Sequence, residues 1–161
     1  MTRILGVFGS LRRDSHNTNL LRAAAEASDP DVELGLYDGL KEVPPFDEDD
    51  EVHARPVSVA RLNAAIANAD AVLFATPEYN ASIPGHLKNA IDWISRPVAT
   101  LRKVLAALGA RVLDVELPVP HAHTRFEEGE LTDDEIRTSL AEVVEALAAE
   151  MREREDLQVV A

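Results

Sequence analysis

Apolar residues fall into short continuous runs separated by stretches of helical spacing, and the alternation of the two sets the expected fold. Thr2–Phe8 (TRILGVF) is mostly apolar with no consistent polar face and closes on Gly9-Ser10, which reads as a strand buried on both sides, as in a parallel sheet. Asn19–Ala27 places Leu20, Leu21, Ala24 and Ala25 on one stripe, and Val32–Leu36 follows as a second strand, completing a βαβ unit. Val57–Ala69 has helical character, Ala71–Ala75 is a third apolar run, and Gly85–Ile94 is a third helix. Strands and helices in this order predict an α/β, doubly wound parallel sheet. Residues Asp38–Pro56, with Pro44-Pro45 and the acidic run Asp47–Glu51, are expected to form a solvated surface excursion.

The alternation then breaks. Only Ser95–Ala99 separates the third helix from another at Thr100–Leu108, which stops at Gly109. A strand resumes at Arg111–Val115, Glu116–Gly129 reads as irregular, and Thr132-Asp133-Asp134-Glu135 has the spacing of a capping box opening a long last helix. Ile136, Leu140, Val143, Val144 and Leu147 form its inward stripe. There is no internal repeat.

Composition narrows the chemistry. At 161 residues and 46% hydrophobic, the chain supports one core, so residues 1–161 are expected to form a single domain. The net charge of −13 repels nucleic-acid backbones and anionic membrane surfaces, so neither is an expected partner. No apolar run approaches the roughly 18 residues of a membrane span, and Ile4–Phe8 is too short for a signal peptide, which predicts a cytoplasmic protein. With no cysteine, redox chemistry requires a borrowed cofactor.

Alternating α/β units place ligand sites at the carboxyl ends of the strands, which directs attention to the loops after Phe8 and Ala75. The first, Gly9–Asn19 (GSLRRDSHNTN), gathers hydroxyls, amides and two guanidinium groups ahead of a helix. Unpaired N–H groups and the positive end of the helix dipole attract an anion there, and Arg12 can add forked charge-assisted bonds. The loop has neither G-x-G-x-x-G nor the Gly-Lys-Ser/Thr ending of a triphosphate loop, so a monophosphate suits it better. The competing reading is that Ser15 or Asn17 caps the helix while Arg12 and Arg13 are solvated. In the second loop, Thr76–Gly85 (TPEYNASIPG), Pro77 and Pro84 restrict the backbone and Tyr79 offers a π face to a flat heterocycle. Lys88 and Asp92 are spaced to pair across a helical turn, and Trp93 is a core residue on this reading.

Gly-Ser-Leu-Arg followed by Ser-x-Asn, then Pro-Glu-Tyr-Asn-x-Ser-x-Pro-Gly-x-Leu-Lys-Asn-Ala-Ile-Asp-Trp, resembles the NADPH-dependent FMN reductase family over residues 3–97, and more weakly from Leu101 onward. The resemblance implies a flavodoxin-like fold, bound FMN, and NADPH or NADH as co-substrate. It also implies hydride transfer through the flavin to a small-molecule electron acceptor such as a quinone, free flavin, azo dye or metal oxyanion. It places the FMN phosphate on Ser10, Arg12, Ser15, Asn17 and Thr18, and the isoalloxazine ring against Pro77, Glu78, Tyr79 and Asn80 with Ser82 nearby. No side chain is expected to act as nucleophile or base, and a homo-oligomer, dimer or tetramer, is implied.

The chain departs from that family between Trp93 and Thr100, where a buried strand and a glycine-rich loop beside the flavin would stand. Five residues reach at most about 18 Å and cannot supply them. An internal deletion around residues 95–100 therefore predicts a four-stranded sheet of order 2-1-3-5 where the family has five strands. An alternative function follows from the same gap: a flavin-binding or partner-binding module with reduced or lost activity. A flavodoxin-type electron carrier fits less well because its phosphate loop lacks Gly-Ser-x-Arg. His121-Ala122-His123 alternates so that both imidazoles share one side of an extended segment, yet lacks further assigned ligands, so no metal is expected.

Overall fold

Strand β1 (Thr2–Phe8) runs down the middle of a parallel sheet, flanked by β2 (Val32–Tyr37) and β3 (Ala71–Ala75) in the order β2-β1-β3. The register sets Ile4 beside Leu34 and Ala71, and Val7 beside Tyr37 and Phe74. The computed structural model describes residues 1–53, 55–80, 82–94, 113 and 115–159. The expected helix at Thr100–Leu108 lies outside these residues, as do Ser95–Ala99 and Arg111, Val112 and Asp114 of the expected fourth strand. Leu113 and Val115 belong to no strand, so the order seen among the described residues is 2-1-3.

Successive side chains of a central strand point to opposite faces, and β1 uses both. Ile4 packs with Leu20, Ala23 and Ala24 of helix α1 (His16–Glu26) and with Ile136, Leu140, Val144 and Ala148 of the last helix. Val7 faces the other way, into Leu62 of α3 (Val57–Ala67) and Leu87, Ala90 and Ile91 of α4 (Gly85–Ile94). Helices on both faces make this the doubly wound, flavodoxin-like arrangement expected from the alternation. Among the described residues no helix is long and apolar enough to cross a membrane.

Segment 38–56 is more anchored than a solvated excursion. It contains a 3-10 turn (Gly39–Glu42) with Leu40 in the core and a short helix, α2 (Glu48–His53). The carbonyl of Pro44 accepts hydrogen bonds from Asn89 Nδ2 and from Trp93 Nε1, both 2.8 Å, and Asn89 Oδ1 accepts from the Phe46 amide at 2.7 Å. Trp93 is buried, as expected of a core residue, with Phe46 edge-on at 5.1 Å. Lys88 and Asp92 pair as their spacing predicts.

Three further expectations are corrected, one at α1 and two beyond β3. Helix α1 opens at His16 rather than Asn19, because Ser15 occupies the N-cap conformation. The stretch before the last helix is not wholly irregular: β4 (Phe126–Glu127) and β5 (Glu130–Leu131) form a small antiparallel hairpin, turned through the left-handed conformations of Glu128 and Gly129. The last helix, α5 (Asp134–Val159), is capped by Asp133, whose Oδ1 accepts from the Ile136 amide at 3.1 Å. Thr132 does not cap it: its amide and hydroxyl both donate to the Arg125 carbonyl, across the hairpin.

Candidate functional site

The two loops singled out in the sequence lie side by side at the carboxyl ends of β1 and β3. The Gly9 amide donates to the Ala75 carbonyl at 2.8 Å. A β-carbon on Gly9 would stand 2.2 Å from Thr76 Oγ1 and 2.7 Å from Thr76 Cβ, far inside contact distance. Only glycine permits the first loop to start against the second.

In the first loop, Ser15 is 2% exposed and sits at the N-cap, yet its side chain makes no capping bond, and its hydroxyl has no hydrogen-bond partner among the described residues. A buried, unsatisfied hydroxyl costs free energy, about 1–3 kcal/mol in mutational data. The capping reading of the sequence accounts for its backbone but not for its oxygen. Thr18, one turn on, is also buried. The first main-chain helical bond runs from the Asn19 amide to the Ser15 carbonyl, so the amides of His16, Asn17 and Thr18 precede the ladder and have no helical acceptor. Hydroxyls and amides converging at a positive helix end fit the phosphate of a nucleotide. Arg12 Nε and Nη2 donate to the Asp14 carbonyl at 3.1 and 2.6 Å, which pins the guanidinium to its own loop and leaves other N–H donors available.

In the second loop, the Tyr79 and Ser82 main chains exchange two hydrogen bonds of 2.9 and 3.0 Å, closing a tight turn with Asn80 at φ +53°. Asparagine tolerates that left-handed conformation better than most residues. The turn raises Glu78, Tyr79, Asn80 and Ser82 into solvent, with Pro77 half-buried behind them. Tyr79 is 58% exposed, an open aromatic face rather than a core residue.

A cleft of about 210 Å³ opens beside the first loop. Ser10, Arg12 and Thr18 line it, together with Arg13, Arg22, Asp38 and Lys41; none of Pro77–Ser82 does. Of the residues expected to hold a phosphate, Ser10, Arg12 and Thr18 line this cleft and Ser15 and Asn17 do not, and the two loops meet at Gly9 and Thr76. His86, at the start of α4, bonds to the Gly9 main chain. Burial pushes its imidazole below the usual histidine range, and the hydrogen bond to Gly9 offsets this only in part. Its Nε2 is buried without a partner among the described residues.

Sequence spacing gave no sign that Asp38 and Lys41 border the first loop, since their approach depends on the pairing of β2 with β1. His86 had a local signal, one residue after the glycine that starts α4, but its partner is 77 positions away. His121 and His123 do not share one side of an extended segment. His121 adopts a left-handed conformation and Ala122–Thr124 form a 3-10 turn, leaving the rings edge-on at 6.2 Å. Among the described residues no group of three or more metal-ligating side chains is present.

Loop chemistry and a doubly wound sheet define a nucleotide-binding α/β protein. The NADPH-dependent FMN reductase pattern matches residues 2–116, and the chain belongs to that family. It is 36% identical to the NAD(P)H-dependent FMN reductase of Pseudomonas aeruginosa over 172 aligned residues, which take in 90% of this chain and 92% of that one. An alignment longer than the 161-residue chain means that the relative has positions with no counterpart here. It is 45% identical to the quinone reductase of Pseudomonas putida over 91 residues, 56% of this chain, and spans only 48% of that protein's length. Among solved structures, the flavoenzyme NAD(P)H:(acceptor) oxidoreductase of Paracoccus denitrificans superposes with a TM-score of 0.75 at 28% identity, covering 95% of this chain and 98% of that one.

Proposed function

We propose that the chain is an FMN-dependent NAD(P)H oxidoreductase that reduces a quinone, free flavin or a similar small acceptor. The observation that carries this reading is the Ser15 hydroxyl, buried and unpartnered at the mouth of α1, in a chain of the FMN reductase family. FMN, when bound, supplies the redox chemistry by taking a hydride from the nicotinamide and passing its two electrons to the acceptor. The chain's own residues bind and orient. Ser10, Arg12, Ser15, Asn17 and Thr18 take the phosphate through hydroxyls, amides and one guanidinium. Pro77, Glu78, Tyr79, Asn80 and Ser82 receive the ring. The exposed turn leaves the ring open to nicotinamide and acceptor in succession. No side chain is needed as a nucleophile or base.

Residues 1–161 act as one flavin-binding domain, supported by α5 sharing a core with β1 and α1. The reading puts it in the cytoplasm, where reduced pyridine nucleotides are supplied. It works as a homo-oligomer, dimer or tetramer. A second reading, a flavin-binding or partner-binding module of reduced activity, draws support from the positions that the Pseudomonas aeruginosa relative has and this chain lacks.

Titration of the purified chain with FMN, followed by NADPH or NADH without oxygen, tests the proposal. Uptake of flavin and loss of its visible absorbance on adding the nucleotide is the expected result. Uptake without bleaching favours the second reading, and a protein that takes up no FMN contradicts both. Sedimentation tests the assembly, and a monomer at micromolar concentration contradicts it.

A further inference from the structure

His86, the second residue of α4, has a buried Nε2 with no partner among the described residues, and neither the phosphate loop nor the ring-binding turn makes use of it. The imidazole bonds to the Gly9 main chain, and that bond favours the protonated ring. The imidazole is therefore the N–H donor and the Gly9 carbonyl the acceptor. Since Nε2 makes no bond, Nδ1 carries the donated proton. Burial keeps the ring largely neutral at about pH 7, and a neutral imidazole with its proton on Nδ1 has a lone pair on Nε2. Nε2 thus calls for a donor; a phosphate dianion or a flavin carbonyl, which only accept, cannot satisfy it. The Thr76 hydroxyl is not that donor, because it gives its proton to the Pro77 carbonyl at 3.2 Å.

The place of His86 in the fold selects the donor. Gly9 directly precedes Ser10, where the proposed phosphate ligands begin, and Thr76 directly precedes Pro77, where the proposed ring contacts begin. A β-carbon on Gly9 would collide with Thr76 and would also stand 3.0 Å from Leu87 Cδ2, so the first turn of α4 closes on the same junction. In FMN the ribityl chain joins the phosphate to the ring, so it crosses from one loop to the other here. Its hydroxyls are the groups between phosphate and ring that have protons to donate. We infer that His86 Nε2 accepts a hydrogen bond from a ribityl hydroxyl of bound flavin and makes the site select flavins that carry this chain. The bond from Nδ1–H to Gly9 fixes the tautomer and the orientation of the ring for that contact. The inference rests on the reading of the chain as an FMN enzyme and adds to it a binding residue from α4.

The test compares FMN and riboflavin, which carry the ribityl chain, with lumiflavin, which has a methyl group in its place, by quenching of flavin fluorescence. The His86→Leu variant is expected to bind FMN and riboflavin about tenfold more weakly than the wild type, the order of one hydrogen bond left unmade. Its affinity for lumiflavin should be unchanged. A loss equal for all three flavins overturns the inference, because His86 then acts only by holding the loops together. So does riboflavin binding as tight as that of the wild type. A second measurement needs no variant: the nitrogen NMR resonance of His86 Nε2 in the wild type should move on adding riboflavin more than on adding lumiflavin, and equal movement contradicts the contact. A wild type that takes up neither FMN nor riboflavin overturns the parent reading and this contact together, whereas a wild type that binds both while His86→Leu keeps full affinity overturns the contact alone.

Discussion

Gly9 and Thr76 meet at the carboxyl ends of neighbouring strands so closely that a single added β-carbon would stand 2.2 Å from the Thr76 hydroxyl oxygen. This contact couples the loop that gathers phosphate ligands to the loop that presents Tyr79. The two loops abut at the carboxyl ends of β1 and β3 and together form the candidate site.

Gly9→Ala must therefore push the loops apart. We expect it to destabilise the fold by about 1–3 kcal/mol, the range for overpacking in a filled space, and to weaken FMN binding. Adding Thr76→Gly removes both atoms in collision and should restore much of the melting temperature. A double variant no more stable than Gly9→Ala alone would show that the Gly9 requirement lies elsewhere.

His86 gives the junction a pH dependence. Burial holds its imidazole below the usual value, and the hydrogen bond to Gly9 only partly opposes that. The unfolded chain therefore binds a proton more readily than the native one, and stability rises with pH between the native value and roughly 6.5. Below that window the effect is fully developed as a loss. His86→Leu should flatten the melting temperature against pH between about 7 and 5. An unchanged profile would mean that other groups set the acid response.

Asp133, towards the far end of the chain, adds a second loss of stability in acid, from hydrogen bonding rather than burial. The Ile136 amide, and then Arg125, hold its carboxyl below the usual carboxylate range despite some desolvation. Its contribution is present above roughly pH 4 and is lost as pH falls through the native value. Asp133→Ala should lower the melting temperature at pH 7 more than Asp133→Asn, and its difference from wild type should shrink in acid. Thr132→Val is expected to loosen the hairpin rather than the helix, read as a larger rise in amide exchange over wild type at position 132 than within α5.

Much of this arrangement was legible in one dimension, and particular residues show where that ended. β1, β3 and α4 were readable to their observed ends, because Thr2–Phe8 and Ala71–Ala75 are apolar runs with abrupt polar limits and α4 starts at a proline-glycine pair. The cap of α5 was misassigned by one residue, because the acceptor that draws Thr132 away is Arg125, seven positions back, and becomes reachable only once the hairpin turns. Segment 38–56 looked solvated by composition. Its anchor is the Pro44 carbonyl, a main-chain atom that carries no compositional signal. The loops of the candidate site could be named from their side chains, but the approach of Asp38 and Lys41 to Arg13 needed the register of β2 on β1.

The most direct measurement is flavin affinity in the wild type and an Arg12→Ala/Ser15→Ala variant, followed by quenching of FMN fluorescence. Ser15 makes no side-chain bond among the described residues and Arg12 bonds only a loop carbonyl, so the fold should persist with a nearly unchanged melting temperature. The dissociation constant for FMN should rise by about a hundredfold or more, the order expected from losing two contacts to a charged phosphate. A variant that binds FMN as tightly as the wild type would contradict the placement of the phosphate at the start of α1, and with it the account of the site.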